Sequence, residues 1–398
     1  MTPAPSGATA GTCAAALSTE PDLDAAVAEV ADAVDGQLGG PPDLVVAFAT
    51  HHHGGELPRL GAELVEATST GALAGCTGGW TMGGGREAEG SPGVAVLAAR
   101  FPGTEIEVTH VLPPAEGGPE TLDFEVADPE RASVLVLADP FSFPISAWLT
   151  EFQRGNPGVP LVGGLASGGM APGQNVLYAG VDSGNSGAAL ITLTGETKIV
   201  PAVSQGCRPV GEPLVATRVE GNLVLEFRGR PAAKVMFEVL ETLDEDDRKL
   251  FQNGAFIGRA VDPAQSTFRP GDLLVRNVMG IEPQRHALAI ADDGIRAGVT
   301  LQLMVRDAPS ASAELEAVLD LAGLETAGAA FGGLAFTCAG RGQGMFGKRD
   351  HDAAAIERRF GPGFPLAGFS ANGEIGPVGG QPFLHAFTAS TALFAPRT

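Results

Sequence analysis

The chain is poor in cysteine, in positive charge and in long apolar runs, and each shortage removes a class of protein. Four cysteines, Cys13, Cys76, Cys207 and Cys338, stand far apart among 398 residues, without a C-x-x-C pair. That spacing excludes a disulfide framework and a standard zinc site and points to reduced thiols. Basic residues number 25 against 47 acidic ones, a net charge of −22, and only four of the 25 are lysine. Such a field repels phosphate backbones and anionic lipid, so nucleic acid and membrane surfaces are not expected partners. No run approaches the ~20 apolar residues of a membrane helix. The first basic residue is Arg59, so no positive region opens a secretory signal. The cytoplasm is the expected location. P-loop, G-x-S-x-G and kinase motifs are missing, and Gly342-Gln343-Gly344 does not extend to a dinucleotide fingerprint.

Apolar residues are plentiful at 44%, so the chain can bury a core and is not disordered throughout. Glycine is abundant at 56 residues but shows no G-X-Y period, which excludes collagen. The glycines fall into a repeat. Gly71–Trp80 (GALAGCTGGW), Pro160–Gly169 (PLVGGLASGG) and Pro365–Glu374 (PLAGFSANGE) share one grammar of short apolar strand and glycine turn. Each is preceded by a buried-type strand (Leu44–Thr50, Val134–Ala138, Gly333–Thr337) and a helix. Each is followed by another strand (Val94–Ala99, Ala188–Leu193, Ala386–Phe394). The chain therefore reads as strand–helix–strand–turn–strand, three times.

Around these units, Thr12–Leu17 is a strand candidate, and Asp22 and its neighbours cap a helix over Leu23–Val34 that ends at Gly39. Between the second and third units the grammar changes. Gly221-Asn222 turns a hairpin, Pro231 opens a helix to about Leu243, and Leu273–Met279, His286–Ala291 and Thr300–Arg306 are strands. Ala311–Leu321 has helical spacing. The expected class is α/β (α+β), with mixed sheets flanked by helices and built from duplicated units in two tightly packed halves. The expected organisation is a disordered N-terminus over 1–11, then domains over 12–200 and 201–398.

The strongest chemical constellation is Phe336–Phe346 (FTCAGRGQGMF). Cys338 ends a strand; Gly340 and Gly342 belong to a donor-rich loop around Arg341, which can grip a carboxylate and activate a thiol. Cys76 stands at a comparable strand end, with Trp80 and Met82 as pocket walls. Asn372-Gly373-Glu374 offers a carboxylate for Arg341 or for an amine. Arg276 ends an apolar run, a position that lines clefts in α/β folds. The expected ligand site is thus Cys338, Gly340, Arg341, Gly342, Asn372, Glu374, Cys76 and Arg276. Two alternatives stand beside it. One is a Cys338 nucleophile with His351 or His385 as base. The other is metal or haem ligation at His51 and His53, since alternate strand residues share a face.

The motifs ATHHHG, LAGCTGGW and GREAEGSPGVAVLAA resemble the FIST N domain. SQGCRPVGEP, DLLVRNVMGIE, FTCAGRGQGMFG and FPLAGFSANGEIGPV resemble the FIST C domain, of F-box and intracellular signal transduction proteins. The resemblance runs from about residue 12 to residue 396. It implies a sensory module for amino acids or similar small ligands, without a carried-over enzymatic activity. It further implies an output through a histidine kinase or other signalling protein in trans, because no kinase, cyclase or F-box segment is present. Haem-based nitric oxide sensing, described for some members, is the alternative it offers; otherwise no cofactor is implied. Cys338 and Arg341 fall in the family's most recognisable C-terminal motif, and Cys76 and Glu374 match similar positions.

Overall fold

The protein is described by a computed structural model covering residues 11–113, 124–262, 265, 268, 271–292 and 294–397. The expected N-terminal fraying falls, except for Gly11, outside these residues. The chain divides into two units, one of residues up to 202 together with 316 onward, the other of Val203–Leu315. Residues 201–398 therefore contribute to both.

The first unit is built from the three repeats. Their leading strands, Leu44–Thr50, Ala132–Ala138 and Gly332–Cys338, are buried almost throughout. Continuous apolar runs are what strands covered on both faces require. Each leading strand pairs in parallel with its return strand: Leu73–Gly78, Leu161–Leu165 and Leu366–Ala371. On its other side it pairs antiparallel with a closing strand: Val94–Arg100, Ala188–Gly195 and Ala389–Pro396. One backbone bond recurs at each leading-strand end. Thr50, Asp139 and Cys338 donate to the carbonyls of Gly93, Gly187 and Thr388, all at 2.9 Å. These three positions are therefore structural equivalents.

Between return and closing strands each repeat forms a hairpin, and each hairpin joins another repeat's sheet. Thr81–Gly83 of the first repeat pairs with Leu366–Ala371 of the third. Leu177–Ala179 of the second pairs with Leu73–Gly78 of the first. Glu374–Val378 of the third pairs with Leu161–Leu165 of the second. The exchange closes a cycle and yields three six-stranded sheets of the same order. Three backbone bonds mark the crossing points: Thr77 to Val176 at 2.9 Å, Leu165 to Gly373 at 2.8 Å and Ser370 to Trp80 at 2.9 Å. At a second set of crossings Ser167 donates to Thr77 and Asn372 to Leu165, both at 3.0 Å. The third crossing of that set runs through a hydroxyl. Gly79 N–H donates to Ser167 Oγ at 2.8 Å, and that hydroxyl donates to the Ser370 carbonyl.

The shared glycine of the repeat has a steric cause. Gly75, Gly163 and Gly368 lie opposite Ala47, Val136 and Ala335 in the parallel ladders. A Cβ at any of them would collide with the carbonyl oxygen of that partner. All three sheets contribute to one core, including Phe48, Leu135, Leu137, Val162, Phe336, Phe369 and Phe394. Phe48 stacks on Phe369 at 4.8 Å, and Phe336 meets Phe369 edge-on at 5.8 Å. The outer face of the first sheet is covered by the helices Leu23–Leu38 and Leu60–Thr68. That of the second is covered by Ile145–Gly155. Asp22 caps the first helix by accepting from Ala25 N–H at 2.9 Å, and left-handed Gly39 ends it.

The second unit is a ring of strands. Arg208–Glu220 pairs with both Thr300–Val305 and Leu223–Phe227, so six strands close through Phe256–Ala260, Leu273–Glu282 and Ala287–Ile290. Closure leaves a barrel with its own apolar cluster, including Ile257, Leu288, Leu301 and Leu303. The Gly221-Asn222 hairpin and the helix after Pro231 (Ala232–Thr242) form as expected. The helix Glu245–Asn253 and the strand Phe256–Ala260 carry no signal strong enough to be read beforehand. Among the described residues no helix is long and apolar enough to cross a membrane.

Candidate functional site

The C-terminal motif forms a turn, a buried ion cluster and a helix start. Cys338 is the last residue of its leading strand and lies opposite Ala371, so Asn372 follows at the same sheet end. Cys338 is half-buried and Asn372 exposed. The Cys338 sulfur accepts from Gly340 N–H at 3.5 Å, and its carbonyl accepts from Arg341 N–H at 2.8 Å. At the equivalent positions Thr50 Oγ1 accepts from Gly93, and Asp139 accepts from Phe141 and Ser142. Polar side chains thus hold the chain at each leading-strand end, with a thiol in the third repeat.

Arg341 is 1% exposed. Its guanidinium forks onto Asp352, with Nε at 2.7 Å and Nη2 at 3.0 Å. Phe346 lies under the guanidinium at 5.3 Å and stacks on His351. His351 Nδ1 reaches the same carboxylate at 2.7 Å. Burial pushes Asp352 up, but Arg341 and His351 outweigh it and hold the acid down at about 2. The carboxylate that Arg341 grips in this structure is therefore the chain's own.

A further residue, Glu87, ties this cluster to the first repeat. Helix His351–Phe360 begins after Asp350, which is left-handed and makes no side-chain cap. Glu87 supplies the cap from the short hairpin Thr81–Glu87, accepting at 3.0 Å from the N–H groups of both Asp352 and Ala353. Asp350 reciprocates by accepting from Glu87 N–H at 2.6 Å. This is the logic of a capping box, with its halves on different repeats. Burial, and next the Asp352 charge, push Glu87 up to about 7. Glu89 adds a bond from Gln343 N–H at 2.7 Å and packs against Gly342, where a Cβ would meet its carboxylate. Glu87 is buried, whereas its neighbour Arg86 is exposed.

The remaining expected residues are dispersed. Cys76 is inside its return strand, not at a strand end, and fully enclosed; burial alone drives its thiol upward. By sheet position its counterpart is Phe369, not Cys338. Glu374 is fully buried and accepts from Thr388 N–H at 2.9 Å. His385 is a core histidine bonded to the Gly376 carbonyl at 2.9 Å. Trp80 and Met82 are buried in the first unit. Arg276 belongs to the barrel, where Nε lies 3.9 Å from Asp292.

The histidine run does not end a strand. The strand stops at Thr50 and His51–Arg59 is a 3-10 helix, so the strand alternation argument for a shared face does not apply. His51 Nε2 contacts the Ser167 carbonyl at 3.2 Å. His53 is buried, which lowers its pKa against the smaller upward pull of the Pro21 carbonyl. One nitrogen of His51 is already engaged, His53 is enclosed, and no group of three or more metal-ligating side chains occurs among the described residues.

The sequence matches two consecutive domain families, FIST N over residues 43–230 and FIST C over 232–377. The chain belongs to the FIST family. FIST domains are known as sensory domains in signal transduction. Uncharacterized protein Rv0628c of Mycobacterium tuberculosis (strain H37Rv) is 38% identical over 379 residues, 95% of this chain and 98% of that protein. Uncharacterized protein Mb0898c of Mycobacterium bovis is 36% identical over 380 residues, covering 95% and 97%. The FIST N and FIST C matches meet inside the barrel, between Arg230 and Ala232, whereas the FIST C match reaches into the third repeat.

Proposed function

We propose that this FIST protein is a cytoplasmic sensor of an amino-acid-like ligand and signals through a separate output protein, such as a histidine kinase. The observation that carries the reading is the succession of FIST N and FIST C across residues 43–377. The ligand contacts are assigned to Cys338, Gly340 and Asn372. They share the carboxyl end of a parallel strand pair, the part of α/β sheets where ligands collect. They are also more accessible than Arg341 and Glu374, both buried. In this reading Arg341 shapes the loop through Asp352, and the ligand carboxylate is received by loop N–H groups and the Asn372 amide.

Native mass spectrometry of freshly purified protein, with its ultraviolet–visible spectrum, tests this first. A small bound mass without visible absorbance is the expected result. A Soret band with a haem-sized mass would replace the amino-acid-like ligand by haem. If the protein is bare, thermal stabilisation is measured against amino acids and related metabolites. No shift with any of them at millimolar concentration would sink the proposal.

A further inference from the structure

The barrel carries a second feature that the sensory reading does not use. A cavity of about 410 Å³ is lined by Val219, Gly221, Asn222, Ile295, Arg296 and Ala297. It lies where the Gly221-Asn222 turn meets the loop around residues 295–297, and cavities at barrel mouths are recurrent ligand sites. Val219, Ile295 and Ala297 give it an apolar wall. Met279 stands beside it, 67% exposed, with its sulfur 3.9 Å from the Asn222 amide. The strand register slips between Val278 and Gly280, so Met279 sits at a bulge, a device that re-aims a side chain. An exposed methionine is an adaptable apolar contact.

The polar side of the cavity is cationic. Arg296 is exposed and makes no ion pair among the described residues. Two described acids near the lining in sequence, Glu220 and Asp292, are engaged elsewhere. Glu220 is held by Arg285 and, at 3.4 Å, by Arg218. Asp292 is held by Arg259 at 2.6 Å and lies 3.9 Å from Arg276. The described lining thus offers one guanidinium, one amide and an aliphatic wall, with no carboxylate for an ammonium group.

We infer that this cavity binds a short aliphatic monocarboxylate, with Arg296 and Asn222 on the carboxylate and Val219, Ile295, Ala297 and Met279 around the tail. A single guanidinium fork matches one carboxylate. Polyphosphates call for several cations, and an α-amino group would find no counter-charge in the described lining. The inference does not depend on the ligand proposed for the Cys338 loop.

Saturation-transfer NMR on the full chain tests it, with 4-methylpentanoate, leucine and 4-methylpentan-1-ol as probes. 4-Methylpentanoate is expected to receive saturation and the other two to bind at least about tenfold more weakly. Arg296→Ala is expected to lower affinity for the acid by about tenfold or more, with an unchanged melting temperature because the side chain is exposed. Asn372→Ala is expected to leave acid binding intact. No transfer at about 10 mM, equal binding to Arg296→Ala, or leucine binding that matches the acid and is likewise weakened by Arg296→Ala would overturn the inference.

Discussion

The three-repeat unit and the barrel complete their sheets in opposite ways. In the barrel one long strand, Arg208–Glu220, pairs on both sides and the sheet closes on itself. In the three-repeat unit the sheets stay open, and each is extended by a hairpin from a different repeat. The barrel's strands lie within residues 208–305, whereas the crossing bond from Ser370 to Trp80 joins residues 290 apart. Long-range pairing demands that backbones meet closely at a few points, and those points tolerate little change. Three-repeat positions should therefore be the more sensitive to substitution.

The largest expected effect sharpens that contrast. Gly163→Val places a side chain against the Val136 carbonyl within a fully buried ladder, and neither backbone can retreat. We expect loss of folded protein, a cost above about 4 kcal/mol. Gly221→Ala in the barrel turn meets nothing but has a φ of +58°, so a cost of about 1 kcal/mol is expected. Urea unfolding of both variants measures the difference. Equal costs would remove the contrast.

A smaller break compares two ion pairs. Arg341→Met leaves Asp352 buried without its main counter-charge, and about 3–5 kcal/mol is expected. Arg259→Met in the barrel removes a pair that keeps contact with water, with side chains 14% and 5% exposed, so a smaller loss is expected. Circular dichroism during urea titration would read both.

How much of this was legible beforehand follows the same division. The three repeats were readable because local sterics repeat: each leading strand needs an unbroken apolar run, and each parallel ladder needs a glycine at one register position. The exchange of hairpins was not readable, because Thr81–Gly83 and Leu177–Ala179 are three residues long and carry no period. At the site, the FTCAGRGQGMF motif forms a structured loop. Its arginine invited a ligand, but an arginine with so little exposure must bring its own acid, and Asp352, eleven residues on, was the available signal. Glu87 gave no such signal, since its helix lies some 265 residues away. The histidine run departs from its expected strand because alternation ends at Thr50, where a 3-10 helix begins.

The cap from Glu87 gives an effect of intermediate size with a defined pH window. Folding raises this acid from the ordinary 4.5 to about 7, so the folded state favours its neutral form. The stability contribution is complete below pH 4.5 and is lost as pH rises through about 7. Glu87→Gln keeps an oxygen acceptor for the Asp352 and Ala353 N–H groups and cannot ionise. At ~1.4 kcal/mol per pH unit, its advantage over wild type should grow by about 3 kcal/mol between pH 4.5 and about pH 8. Asp352, depressed to about 2, supports the fold above pH 3.8 and loses that support only as pH falls through about 2, so it does not enter this window. Parallel unfolding curves for the two proteins across the window would refute the assignment.

The smallest expected change in stability is at the proposed ligand contacts, and it decides whether the two regions act separately. Asn372 is exposed at the end of a return strand, so Asn372→Ala should alter stability by under about 0.5 kcal/mol. It should nevertheless reduce thermal stabilisation by an amino-acid-like ligand, because an amide donor at the strand end is lost. Arg296→Ala should leave that stabilisation unchanged while weakening 4-methylpentanoate. A ligand response lost in both variants would contradict two independent sites. A response kept in Asn372→Ala and in Cys338→Ala would move the ligand away from the third repeat. Cys338→Ala adds discrimination because its sulfur also holds Gly340 N–H. If the thiol serves the turn rather than the ligand, Cys338→Ser should restore the response, since a hydroxyl can accept the same bond, as Thr50 does at the equivalent position.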